Sequence, residues 1–132
     1  LLWVLFAGFA WLPAAFALYA TQSVLYGITG EYLLGRGPAH ALYIGFFGSL
    51  LVAMVTRVTQ GHSGQPLAMP AVGWFAFAAL QLVAVVRIGS EVVADALAWN
   101  AVAAAGWLLA FLPWVLRSTA IYLRPRVDGR PG

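Results

Sequence analysis

The chain has 132 residues, of which 63% are hydrophobic and only 8% charged, with a mean hydropathy of +0.88. A water-soluble domain is about half apolar and about a quarter charged, so this composition excludes an ordinary soluble globule and a disordered chain and makes lipid the solvent. The net charge of +3 comes from scattered or terminal arginines, not the dense basic face of a nucleic-acid binder, and the lack of Cys removes disulfides, thiolate nucleophiles and Cys-held metal centres.

A spanning helix needs roughly 20 apolar residues, and four segments qualify: 1–26, 39–56, 68–86 and 92–116. Backbone groups in lipid must bond within their own segment, which makes these helices. They are apolar all round, unlike the alternating strands of a barrel. The first begins at Leu1, inside an apolar run without a basic flank or a cleavage site. It therefore reads as a span, not a signal peptide, and as the start of a piece cut from a longer chain. Pro13 is expected to kink it.

The joints GITGEYLLGRGP, RVTQGHSGQP and RIGSEV are short, so sequential helices run antiparallel. The expected fold is an all-α, four-helix, up-down transmembrane bundle forming one domain over 1–132, within a larger polytopic protein. Arg57, Arg117, Arg124, Arg126 and Arg130 gather at one end, and Arg36 and Arg87 at the other. The positive-inside rule makes the Arg-rich end, with the tail 117–132, cytoplasmic. Trp74 and Trp114 are expected in the inner aromatic belt and Trp99 in the outer one.

His40 and His62 are the two histidines, 22 positions apart, or roughly 33 Å along a helix. They cannot share one metal on a straight helix. Each is either a polar residue at a helix end or a ligand in its own site. Between them Ala41, Gly45, Ser49 and Ala53 form a small-residue stripe that leads to Arg57. Such a stripe is a helix-packing seam, against which a flat cofactor also fits. Arg57 either snorkels to headgroups or holds a carboxylate in its guanidinium fork.

Met54 and Met69 flank His62 as apolar fillers or soft metal ligands. GHSGQ lacks the glycine spacing of a nucleophile elbow, and no Gly-Lys-Ser/Thr follows to make a phosphate loop. Gln81 and Asn100 are expected to hydrogen-bond neighbouring helices. The acids Glu31, Glu91 and Asp95 are expected as solvated loop charge.

Four stretches, WVLFAGFAWLPAAF, PAHALYIGFFGSLLVAMVTRVTQGHSGQPL, FLPWVLRSTAIYLRPRVDG and the terminal GRPG, resemble the NnrS family over essentially the whole chain. The second stretch, with its His-Ala pair, Gly-rich helix, Thr-Arg and Gly-His-Ser-Gly, is the specific one. The resemblance implies the C-terminal third of a bundle of about a dozen helices, in a bacterial inner-membrane protein that carries haem and copper and helps cells tolerate nitric oxide. It makes His40 and His62 candidate haem or copper ligands and Arg57 a candidate propionate partner. Arg36 is a second basic partner for a haem at the His40 end. The lipid bilayer, other membrane helices and nitric oxide are the partners so implied. The residues alone also admit a transporter or channel subunit without a redox centre, or a structural segment whose cofactors lie in other helices.

Overall fold

A computed structural model of the chain describes residues 1–129; Arg130 and Gly132, both assigned to the tail, lie outside the described residues. Four helices follow one another: α1 (Leu2–Thr29), α2 (Gly37–Ser63), α3 (Ala71–Gly89) and α4 (Ala96–Tyr122), with no strand among the described residues. All four are long and apolar enough to cross a membrane. This is the all-α, four-span architecture that the hydropathy pattern predicts.

The ends of the helices are set by local chemistry. α1 continues through Pro13 and stops at Gly30, whose φ of 75° reverses the chain while its N–H donates to the Tyr26 carbonyl at 2.8 Å. Pro38 stands in the first turn of α2, where its missing N–H costs no hydrogen bond. α4 starts at Ala96, later than expected, because the Asp95 carboxylate caps it by accepting from the Ala98 N–H at 3.2 Å.

All four helices end later than their apolar stretches, α2 and α4 by the most. α2 extends to Ser63 because polar donors at its end find acceptors inside the protein. Thr59 donates to the Tyr122 hydroxyl at 3.2 Å, and Gln60 donates to the Ala68 carbonyl at 2.7 Å. Both side chains are buried. α4 extends to Tyr122, with Ile121 buried in its last turn.

α2 is the central helix. The share of buried residues in the spans is 39% in α2 and 33% in α3, but 17% in α1 and in α4. α1 packs along α2, α3 packs on α2, and α4 lies along α3. Their shared core contains Val4, Val52, Leu80, Phe111 and Trp114. The remaining faces of α1 and α4 are exposed apolar surface, suited to lipid contact.

Residues Ala41–Gly48 of α2 are π-helical. A four-residue step undershoots this wide turn and overshoots the α turn of about 3.6 residues that follows. The stripe Ala41, Gly45, Ser49 and Ala53 accordingly stays buried, but its α-helical continuation drifts. Thr56 takes the buried position and Arg57 is exposed. Trp114, expected in the inner belt, is instead only 5% exposed and donates from Nε1 to the Thr56 hydroxyl at 2.9 Å. A buried indole requires such a partner.

Candidate functional site

The α1–α2 and α3–α4 joints meet at one end of the bundle, and they enclose His40. Its Nε2 lies 3.2 Å from Glu91 Oε1 and 3.1 Å from Arg87 Nη2. That nitrogen serves one neighbour at a time: as N–H it donates to Glu91, and as a lone pair it accepts from Arg87. Arg87 also donates to Asn100 Oδ1, which accepts from Ser90 Oγ at 2.9 Å. The side chains of His40 and Glu91 are only 13% and 18% exposed. Residues from α2, α3, α4 and the α3–α4 joint thus form one polar network.

Glu91 is not the solvated loop charge that its sequence position suggests. The Arg36 backbone N–H donates to its Oε2 at 2.9 Å. This bond, and more weakly the one from His40, hold the carboxyl below the ordinary carboxylate range, against the opposing effect of burial. Gly35 makes the approach feasible: its φ is +47°, and a Cβ there would collide with the Glu91 carboxylate.

Midway along the spans, the small-residue stripe receives α1. The Trp11 ring lies against Gly45, where an added Cβ would meet its Cγ at 2.6 Å, and Gly8 faces the Ser49 Cβ. Trp11 Nε1 donates to Gln81 Oε1 at 2.5 Å, and Gln81 Nε2 donates to Ser49 Oγ at 2.9 Å. The intramembrane Gln81 therefore ties α3 to both α1 and α2, as expected of a polar group in lipid.

His62 is at the other end of α2, exposed in the last helical turn. It shares a groove of about 300 Å³ with Arg57 and Met54. Met69 is elsewhere, packed against Gly73 and the core. Arg57 thus lies with His62 and away from His40. Neither the His62 ring nor the Arg57 guanidinium has a hydrogen-bond or ion-pair partner among the described residues.

The histidines stand at opposite ends of one continuous helix, and the three candidate residues divide one against two. Among the described residues, no three His, Asp or Glu side chains come together as a metal-binding group. Sequence reasoning missed Glu91, Arg87 and Ser90 as partners of the His40 end. The one signal available was that the RIGSEV joint carrying them had to meet the joint before His40 at the same end of an up-down bundle.

A family model described as NnrS protein matches residues 1–126. No curated protein and no solved structure matches the chain.

Proposed function

The chain belongs to the NnrS family, and from that premise we propose that it is an integral membrane protein that carries haem and copper and takes part in the response to nitric oxide. In this reading it sits in the bacterial inner membrane with its tail in the cytoplasm. The observation that carries the site assignment is the division of polar groups between the two ends of α2, with one histidine in each.

The donor atoms present suit one protein ligand per site. At the first end, a Glu91 carboxylate on Nε2 of His40 leaves Nδ1 with the lone pair, the carboxylate–imidazole arrangement that orients metal ligands. One imidazole suffices to hold a haem iron. At the second end, the His62 imidazole and the Met54 thioether line one groove, a donor set suited to Cu(I). Arg57 in that groove offers a fork for an anionic group. Such groups, when bound, supply a metal able to coordinate nitric oxide. The chain itself supplies the orienting carboxylate at one end and an exposed imidazole beside a cation at the other.

The test is to quantify haem and copper in the purified protein and in His40→Ala, His62→Ala and the double variant. Different losses in the two single variants are expected, each site emptying alone. Identical losses in all three would overturn the separate-site reading, and no haem or copper in the parent protein would overturn the function. Orientation is tested separately by placing Cys at 31 and at 62: an impermeant thiol reagent outside the cell should label position 31 and leave position 62 untouched.

A further inference from the structure

Beyond the metal chemistry, we infer that the cleft between the end of α2 and the chain leaving α4 binds the phosphate headgroup of an anionic phospholipid. The last carbonyls of α2 are orphans by construction, and the segment after α4 returns to satisfy them. Arg126 Nη1 donates to the His62 carbonyl at 2.9 Å, and the Val127 N–H donates to the Ser63 carbonyl at 3.1 Å. Asp128 accepts from Arg126 at 2.7 and 2.9 Å and so fixes the guanidinium in place. The returning segment leaves a cleft of about 420 Å³, lined by His62, Ser63, Ile121, Tyr122, Arg124 and Arg126, among others.

Two chemistries meet in this cleft. Ile121 and the Tyr122 ring form an apolar wall, with the Tyr122 hydroxyl tethered by Thr59 at 3.2 Å. Arg124 supplies the charge, because Arg126 is already engaged by Asp128, whereas Arg124 has no side-chain partner among the described residues. A free phosphate would use the cation alone. An apolar wall beside an unpaired guanidinium, at the end of spanning helices, matches a headgroup phosphate with its first methylenes. Charge favours the same end. Arg57, Arg117, Arg124 and Arg126 stand there with Asp128, whereas Glu31, Glu91 and Asp95 accompany Arg36 and Arg87 at the other end.

The purified chain is placed in bilayer discs of phosphatidylcholine and phosphatidylglycerol, and the lipid retained on release is counted by native mass spectrometry. The parent should retain phosphatidylglycerol preferentially. Arg124→Gln should reduce that preference about fivefold, the equivalent of ~1 kcal/mol for one interfacial cation. Arg124→Lys should keep most of it, and Arg36→Gln at the opposite end should leave it unchanged. Far-UV circular dichroism verifies that each variant is folded.

No preference in the parent overturns the inference, as does an equal loss in Arg36→Gln. Displacement of the lipid by inorganic phosphate, beyond the effect of chloride at equal ionic strength, would assign the cleft to free phosphate instead and overturn the lipid reading. His62, which also lines the cleft, is left intact throughout, so the variants probe lipid retention without removing the proposed metal ligand.

Discussion

At one end of α2, His40 is walled in by Glu91, Arg87 and the Arg36 backbone; at the other, His62 stands exposed beside Arg57, which has no partner among the described residues, and two open clefts. The difference follows from what surrounds each end. Two helix joints converge on His40, and the Glu91 carboxylate and the Arg87 guanidinium both reach its ring in a partly buried network. The tail that returns to His62 bonds its backbone carbonyl, and the ring has no partner among the described residues. A histidine enclosed in this way is oriented before any ligand arrives. An exposed one presents its nitrogens to whatever enters the groove. The same residue type thus serves a preorganised position at one end and an accessible one at the other.

Both ends depend on the α1–α2 seam, so the largest expected effect lies there. Gly45→Leu drives a side chain into the Trp11 ring and should cost about 1–3 kcal/mol, while Leu51→Ile on the exposed face should be nearly silent. Thermal unfolding in detergent measures both. An unchanged melting temperature for Gly45→Leu would mean that the helices do not approach closely at this stripe.

Asn100→Ala tests the closed end itself. It removes the side-chain acceptor that Arg87 and the buried Ser90 share, although Ser90 keeps the Arg87 carbonyl as an acceptor at 2.9 Å, and should cost about 1–2 kcal/mol through the lost bond of the Arg87 guanidinium. His62→Ala at the open end should stay within about 0.5 kcal/mol, as surface changes do. Equal losses of stability in the two variants would abolish the contrast between the ends.

The smallest effect is a dependence on pH. The Glu91 carboxyl titrates below its ordinary value near 4.5 in the folded state. Its contribution to stability is therefore full above that value and is lost as the pH falls through the lowered pKa. Glu91→Gln should flatten the stability profile below about pH 4.5 relative to the parent. Parallel profiles for the two proteins would mean that the Arg36 N–H and His40 do not hold the carboxylate.

The spans, their number and their antiparallel order were legible in the sequence, because lipid forces every backbone group into helix and only long apolar runs tolerate that solvent. The separation of His40 from His62 was legible for the same reason, since a continuous helix fixes distance by residue count. The partners of those histidines were not. Glu91 lies 51 positions from His40, and only the meeting of two joints brings it into reach. The burial of Trp114 depended on Thr56 across a helix interface, which aromatic-belt statistics do not contain. The fate of Arg57 turned on the π-helical stretch before it. A strict four-residue count extends the stripe onto Arg57, and the change from the wide turn to the α turn gives the buried place to Thr56. Periodicity determined which residues belong to the membrane; packing between helices decided which polar groups face one another inside it, because those contacts join positions that sequence spacing leaves unrelated.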